Sequence, residues 1–368
     1  MIRKHFKGYN FVANRETGFT LRWGDDFSQN PYMAPWPELA DISISNYCTN
    51  GCSYCYRSSD EKGGFMSLKD YTHVLQELTH DEYGSIFQVA LGGGEPLLHP
   101  DFNEIIRTTR EDYGIIPNYT TCGKFFTPEN LEVSRKYCGA VAISWDPYRN
   151  NLTPDNNLTQ SKNPTHNNLT LDELSKLGKL LEDNQIKTNI HYVISESTLE
   201  DATRMLSGEY DKYLESFNAV IFLTYKPTGR APSEDIIRSP DLLQSFLNLV
   251  DKPVTHLKIG FDACFVPLLL KTTHTDNDLI DSCECGFFSV YIDENMNVSP
   301  CSFCNNDQYS YSLKDSSFKD IWQESFSNYR HYIDNECKLK CTRCEKSNDC
   351  RGQCPFFDEL FLCDVMGK

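Results

Sequence analysis

Three of the chain's sixteen cysteines stand within eight residues, Cys48, Cys52 and Cys55, and ten more follow residue 280. That placement constrains the fold more than any other feature. No segment reaches 18 consecutive apolar residues, so no membrane-spanning helix is expected. The opening Met1-Ile2-Arg3-Lys4-His5-Phe6 is basic but has no apolar core behind it, unlike a secretory signal. A cytoplasmic location is therefore expected, where reducing conditions disfavour disulfides. Thiols in such numbers then point to metal. A C-terminal segment dense in cysteine and poor in helical pattern reads as a small region stapled by metal.

Between the two cysteine groups the chain alternates apolar runs with helical patterns. Strands are expected at 40–45, 86–91, 115–121, 140–145, 186–194, 219–225 and 257–263, and helices at 67–78, 102–109, 128–136 and 171–183. Ser67 stands at the N-cap position of the first helix. Strand–helix alternation at this spacing implies parallel βαβ units. The expected class is α/β, a full or partial (β/α)6 barrel with its ligands at the C-terminal ends of the strands. Three segments follow: an N-terminal extension over 1–40 with a short hairpin, a barrel over 41–265, and a cysteine-rich domain over 266–368 with one helix at 318–333. Residues 147–168, rich in Asn, Thr and Pro, read as a long loop on the active face, either an insertion or a substrate cover. Its three Asn-x-Ser/Thr sequons, at Asn151, Asn157 and Asn168, are products of that composition. The net charge of −17, with no basic run, argues against nucleic acid as a partner.

The loop after the first barrel strand reads Cys48-Thr-Asn-Gly-Cys52-Ser-Tyr54-Cys55. Three thiolates at this spacing can each hold one iron of a [4Fe–4S] cube and leave the fourth iron open to a small chelating molecule. Gly51 lets the loop wrap closely. A structural zinc site is the alternative, but zinc favours four closed ligands, and no fourth lies nearby in sequence. The pattern resembles the C-x3-C-x-Φ-C signature of the radical S-adenosylmethionine (SAM) superfamily. The resemblance implies that SAM chelates the open iron, receives one electron, and splits into methionine and a 5′-deoxyadenosyl radical that takes a hydrogen atom from substrate. Gly93-Gly94-Glu95-Pro96 resembles the superfamily's GGEP motif, which binds the methionine amino group. Thr120-Thr121-Cys122-Gly123 stands where relatives often have TNG. Ala142-Ile143-Ser144-Trp145-Asp146 looks like the strand whose serine contacts the cofactor, although Ser144 can equally be a strand-end cap. Tyr54, Gly93, Gly94, Glu95 and Ser144 are thus the implied cofactor contacts. Lys226 and Arg230, after the 219–225 strand, suit a carboxylate or a solvated loop.

The later cysteines, Cys341-x2-Cys344-x5-Cys350-x3-Cys354 and then Cys363, resemble the SPASM domain of radical enzymes that modify peptides and proteins. Cys283-Glu-Cys285-Gly286, Val290–Asp293 and Pro300-Cys301 match that domain's opening hairpin. The resemblance implies two auxiliary [4Fe–4S] clusters beside the radical SAM cluster, three in all. Cys341, Cys344, Cys350 and Cys363 would hold one. Cys283, Cys301 and Cys354 would hold the other, with Cys285 or Cys264 as fourth ligand or one iron open. Met296 replaces a glycine of the family hairpin. Cys304 and Cys337 are alternative ligands or plain buried thiols. A zinc site over Cys301, Cys304, Cys341 and Cys344 is the competing arrangement.

The resemblance implies a ribosomally made peptide or a protein as substrate, ending in a crosslink, a thioether or an inverted stereocentre, and a flavodoxin- or ferredoxin-type electron donor. Cys122 is a candidate hydrogen donor to an inverted carbon radical. Ser302 stands where sulfatase maturases carry an aspartate, which argues against sulfatase oxidation. Dehydrogenation of a small molecule is a second reading, and a zinc-stapled binding protein a third.

Overall fold

The computed structural model describes residues 1–145, 169–270, 280–304 and 307–337, and in the C-terminal segment 341, 344–346, 350, 354–360 and 362–366. The expected loop over 147–168, and Asp146 before it, lie outside the described residues.

The chain opens with an antiparallel three-stranded sheet, β1 (Ile2–Phe6), β2 (Tyr9–Ala13) and β3 (Thr20–Trp23), where the sequence suggested only a hairpin. Its apolar face, Tyr9, Phe11 and Ala13, packs with Phe87, Phe287, Phe288 and Tyr329 into one buried cluster. Arg22 fastens the sheet further, pairing with Glu38 at 3.1 Å and Asp281 at 3.0 Å.

The body is a ten-stranded sheet. Its seven barrel strands run parallel: β4 (Leu39–Ser45), β7 (Gln88–Gly93), β8 (Ile116–Thr121), β9 (Val141–Ser144), β10 (Thr188–Ile194), β11 (Ala219–Thr224) and the short β12 (Ile259–Phe261). A two-residue hairpin, β5 (Thr79–His80) with β6 (Gly84–Ser85), lies between β4 and β7. Helices α1 (Leu68–Glu77), α2 (Phe102–Glu111), α3 (Pro128–Tyr137) and α4 (Leu171–Asp183) connect the strands where the pattern placed them. Ser67 caps α1, and Thr127 and Thr170 close capping boxes on α3 and α4. The apolar periodicity did not flag α5 (Leu199–Leu206), α6 (Asp211–Leu214) or α7 (Pro240–Asp251).

Alternation along the strands decides which face meets the helices. Ile42, Ile44, Val89, Leu91, Ile143, Ile190, Tyr192, Ile194 and Phe222 are all buried in one core beneath the helices. Each such side chain contributes about 1.5–3 kcal/mol on burial. The opposite face, the barrel interior, carries Asp41, Ser43, Asn118, Cys122, Ser144 and His191.

The cysteine-rich segment is built onto the same sheet. β13 (Ser289–Ile292) lies parallel against β4, pairing Tyr291 with Asp41, and β14 (Asn297–Ser299) and β15 (Tyr311–Ser312) continue antiparallel. Val290, Ile292, Val298, Phe318 and Trp322 join the barrel's own core. The hairpin turn places Met296 at φ 66°, the left-handed region that favours glycine, which accounts for the glycine of the resembling family at this position. The single helix expected over 318–333 is interrupted. α-Helical turns at Phe318–Asp320 and Phe326–Asn335 flank a π-helical stretch, Ile321–Ser325. Buried Arg330 donates from Nη1 to the Trp322 carbonyl and from Nε to the Gly286 carbonyl, both at 2.7 Å. It thereby ties this bulge to the turn that carries Cys285.

Candidate active site

The cysteine loop leaves the C-terminal end of β4 and is held from three sides. Its own returning segment pairs with it: the Cys48 N–H donates to the Asp60 carbonyl at 2.9 Å and the Asn46 N–H to the Gly64 carbonyl at 2.8 Å. The segment after β11 straps it from above. Arg230 Nε donates to the Cys52 carbonyl at 3.0 Å and Nη1 to the Ser59 carbonyl at 2.9 Å, while the Arg230 N–H reaches the Cys55 carbonyl at 3.0 Å. A Cβ on Gly229, which has φ +65°, would stand 2.4 Å from the Tyr56 carbonyl oxygen, so only glycine allows this approach. Arg230 is thus a clamp on the loop. Lys226 likewise is taken up inside the protein, buried and paired with Asp262 at 2.6 Å. Neither side chain is left as a solvated loop charge.

The third support is the Gly93-Gly94-Glu95 segment at the end of β7. The Gly94 N–H donates to the Ser45 carbonyl at 2.6 Å and the Glu95 N–H to the Tyr47 carbonyl at 3.0 Å. A Cβ on Gly94 would lie 2.1 Å from the Tyr47 carbonyl oxygen, and one on Gly93, which has φ +108°, 2.1 Å from that of Ser45. These two glycines let the β7 end close against the base of the cysteine loop. Gly92, with nothing within 4 Å of a built Cβ, faces open space.

Two amide donors face the loop sulfurs. The Asn50 N–H points at Cys48 Sγ (3.4 Å) and its Nδ2 at Cys52 Sγ (3.1 Å), while Lys124 Nζ donates to Asn50 Oδ1 at 3.2 Å. Burial pushes the Cys48 thiol up to about 11, so a thiolate there needs a cation to balance it. Sulfurs met by N–H donors on an open loop fit a thiolate-bound cluster. Among the described residues no three His, Cys, Asp or Glu side chains converge tightly enough for a single metal ion. Around one zinc, four sulfurs at about 2.3 Å from the metal sit about 4 Å from one another, whereas a cubane spreads one sulfur to each iron corner.

Glu95 is buried where β7 meets β8. Oε1 accepts from Leu97 N–H (3.1 Å) and the Thr121 hydroxyl (2.7 Å), and Oε2 from Cys122 N–H (2.9 Å). The Cys122 thiol also bonds to it. Burial raises the Glu95 carboxyl even so. The same burial, with the Glu95 charge beside it, pushes the Cys122 thiol far up, so it stays protonated at neutral pH. Ser144 ends β9 in register with His191 on β10, whose imidazole burial lowers to about 4. Tyr54 packs in a small apolar cluster with Val193, Tyr225, Phe303 and Phe357.

Residues 42–207, the segment holding the cysteine loop, the glycine pair, Cys122 and Ser144, match the model of the Radical SAM superfamily. That stretch of the chain is a radical SAM domain. That superfamily binds SAM at a [4Fe–4S] cluster, and the three thiols of Cys48, Cys52 and Cys55 suit one. The chain is 25% identical over 339 residues to an AdoMet-dependent heme synthase from Methanosarcina barkeri, covering 87% of this chain and 92% of that protein. It is 24% identical over 324 residues to the mycofactocin maturase MftC from Mycobacterium tuberculosis, covering 83% and 75%. Among solved structures, its fold is similar to Streptococcus suis SuiB bound to precursor peptide SuiA (TM-score 0.67, 18% identity, 88% of this chain and 72% of that one). It is also similar to anSMEcpe with bound AdoMet and Cp18Cys peptide (TM-score 0.63, 18% identity, 86% and 89%).

The later cysteines, beyond the matched domain, fall into groups. The Cys285 thiol bonds to Cys283 and Cys301. Cys354 bonds to Cys264 and feels the charge of Cys301. Five cysteines from four separate stretches of chain thus gather at one place, both candidates for the fourth ligand among them. Cys341 and Cys344 share one turn, with the Cys344 N–H donating to the Cys341 carbonyl at 2.9 Å. Cys363 Sγ lies 4.0 Å from the Pro267 carbonyl oxygen. Cys337 is buried in the apolar cluster under the N-terminal sheet, and Cys304 packs against that cluster. Among the described residues no helix is long and apolar enough to cross a membrane.

Several site residues escaped the sequence reading. Asn50 and Lys124 carry no motif of their own: Asn50 donates to sulfurs two residues away on either side, and Lys124 reaches Asn50 only once the β8 end meets the cysteine loop. Asp262 anchors both Lys226 and the Thr224 hydroxyl (2.7 Å), a contact spanning 38 residues. Arg57, which pairs with Glu294 and the Tyr291 hydroxyl, joins the cysteine loop to the β13–β14 hairpin.

Proposed function

We propose that this enzyme abstracts a hydrogen atom from a residue of a ribosomally made peptide, and that the gathered C-terminal cysteines hold two auxiliary [4Fe–4S] clusters. The observation that carries this reading is the attachment of the cysteine-rich hairpin to the barrel sheet through β4 and β13. That attachment sets Cys283, Cys285 and Cys301, which flank the hairpin, beside the strand that leads into the cysteine loop, and Cys354 bonds to Cys264 and feels the charge of Cys301. The named relatives support it: a mycofactocin maturase, and a structural neighbour solved with its precursor peptide.

The bound cluster and cofactor supply one chemistry, reductive cleavage of SAM to methionine and a 5′-deoxyadenosyl radical. The chain's own residues do the rest. Cys48, Cys52 and Cys55 would hold three irons, and Asn50, steadied by Lys124, donates to the Cys48 and Cys52 sulfurs. Glu95, freed of its weak S–H bond from Cys122, would take the cofactor ammonium, and Gly93, Gly94, Tyr54 and Ser144 would line the cofactor. Cys283, Cys301, Cys354 and either Cys264 or Cys285 hold the first auxiliary cluster, and Cys341, Cys344, Cys350 and Cys363 the second. The division at residues 40 and 265 then separates a strap, a radical-generating barrel and an electron-handling segment. A flavodoxin- or ferredoxin-type protein in the cytoplasm delivers the electron. The freed Cys122 thiol, kept protonated by burial, is suited to return a hydrogen atom to a substrate radical.

A second reading, dehydrogenation of a small molecule, is favoured by the heme synthase relative, which spans nearly the whole chain. Substrate-stimulated 5′-deoxyadenosine formation separates the two. Peptides encoded beside the gene should raise the rate if the first reading holds. Stimulation by a small molecule alone would favour the second.

A further inference from the structure

Beside the gathered C-terminal cysteines stands a buried cation that no carboxylate balances. Arg330, on the helix Phe326–Asn335, is 6% exposed. Its Nε donates to the Gly286 carbonyl and its Nη1 to the Trp322 carbonyl, both at 2.7 Å. The guanidinium carbon lies 4.7 Å from the centroid of the Trp322 ring. The remaining nitrogen, Nη2, is buried and has no hydrogen-bond partner. Burial pushes the ionisation of Arg330 down to about 10, and only the Tyr32 and Tyr329 hydroxyls pull the other way. A guanidinium keeps its proton at neutral pH even so, which makes this a fixed charge. A charge buried without a counter-charge is costly, and the thiols gathered beside it are the source of anions at hand.

The turn that Arg330 holds is the one that bears those thiols. Gly286 follows Cys285, whose thiol bonds to Cys283 and Cys301. The helix sits hard against this turn: a Cβ on Gly286 would stand 2.6 Å from the Tyr329 ring. The Tyr329 hydroxyl, one residue before Arg330, senses the charges of Cys283, Cys285, Cys301 and Cys354. Arg22 grips the same turn through Glu284, which stands between Cys283 and Cys285. Bond lengths along Gly286 and Cys285 keep the guanidinium within about 12 Å of the Cys285 sulfur. Four thiolates leave a [4Fe–4S] cube net negative, and its one-electron reduction adds one more negative charge. A fixed positive charge with one nitrogen unpartnered fits such a neighbour.

We infer that Arg330 is a positioning residue for the first auxiliary cluster: it holds the cysteine turn, and its uncompensated charge raises the reduction potential of the cluster bound there. The inference rests on the reading that these cysteines hold a cluster. A unit charge at about 12 Å, at an effective dielectric of about 20, favours the reduced cluster about tenfold. For a one-electron couple that is about 59 mV.

The test is an anaerobic EPR redox titration of the reconstituted full chain carrying Cys48/Cys52/Cys55→Ala, in which only auxiliary clusters report. Arg330→Met removes the charge and keeps an apolar stem, and Arg330→Gln is a second neutral variant should the first fail to fold. Arg330→Lys keeps a charge without the guanidinium fork. The neutral variants should retain about eight irons, at four per cubane, and lower one auxiliary potential by about 59 mV while the other stays put. Arg330→Lys should stay closer to the parent potential than either. Unmoved potentials in the neutral variants, or an equal fall in Arg330→Lys, would overturn the inference. Neutral variants that all fail to fold or lose four irons would likewise leave Arg330 a structural tie and overturn it. If the parent protein itself binds no auxiliary cluster, the cluster reading falls first and the inference falls with it.

Discussion

Replacing Glu95 tests whether the glycine–glycine–glutamate segment is a structural joint as well as a cofactor contact. Its carboxylate joins β7 to β8 by accepting from the Leu97 N–H, the Thr121 hydroxyl and the Cys122 N–H at 3.1, 2.7 and 2.9 Å. Glu95→Ala leaves these three donors buried with no acceptor. Each such donor costs about 1–3 kcal/mol, and removing a desolvated carboxylate offsets part of the sum, so the expected loss is about 3–5 kcal/mol. Glu95→Gln keeps the oxygen that serves Leu97 and Thr121 but turns an NH2 toward the Cys122 N–H. Its expected loss is about 1–2 kcal/mol. The assay is urea denaturation of the metal-free protein followed by circular dichroism, where neither cluster nor SAM contributes. If Glu95→Ala unfolds at the wild-type midpoint and loses only SAM affinity, the joint is not structural and the reasoning is wrong.

Other expectations follow from the same geometry. Asn50→Ala removes a sulfur-directed hydrogen bond of about 1 kcal/mol and should lower the radical SAM cluster potential by about 40 mV in an EPR redox titration. An unchanged potential would remove Asn50 from the tuning role. Asp41 has its carboxyl pushed from 3.8 up to about 6 by burial. The folded protein therefore binds more protons than the unfolded one between those values, and stability should fall as pH rises from about 4 to about 6. Asp41→Asn, with Tyr56, Tyr291 and Ser43 around it unchanged, should flatten that slope in thermal melts. Gly94→Ala drives a methyl into the Tyr47 carbonyl and should lower iron content at the cysteine loop. Cys122→Ala should keep its iron, and if the product is an epimer, the variant should lose deuterium incorporation in heavy water. Continued inversion by that variant would end the donor role.

The barrel was legible because its signals are local. Period-two strands such as Ala40–Ser45 and capped helices such as the one after Ser67 need no distant partner to be read. The cysteine loop was legible for a chemical reason, since three thiols at that spacing suit one kind of centre. What lay hidden depends on contacts across long stretches of sequence. The pairing of β13 with β4 joins residues about 250 apart, and no periodicity announces that the cysteine-rich segment extends the barrel sheet. The roles of Arg230 and Lys226 turned on partners at Cys52 and Asp262. The π-helical break at Ile321–Ser325 is set by buried packing around Trp322 and Arg330. Met296 was visible as a departure from a family glycine, but its left-handed backbone emerged only with the turn.

The central claim is that Cys48, Cys52 and Cys55 hold a SAM-cleaving cluster beside two auxiliary ones. The most direct measurement is anaerobic reconstitution, with iron and sulfide counted in wild type and in the triple Cys48/Cys52/Cys55→Ala variant and 5′-deoxyadenosine assayed with SAM and dithionite. The account predicts about twelve irons in wild type and about eight in the variant, at four per cubane, with deoxyadenosine formation lost. One or two zinc ions in wild type and no deoxyadenosine would contradict it.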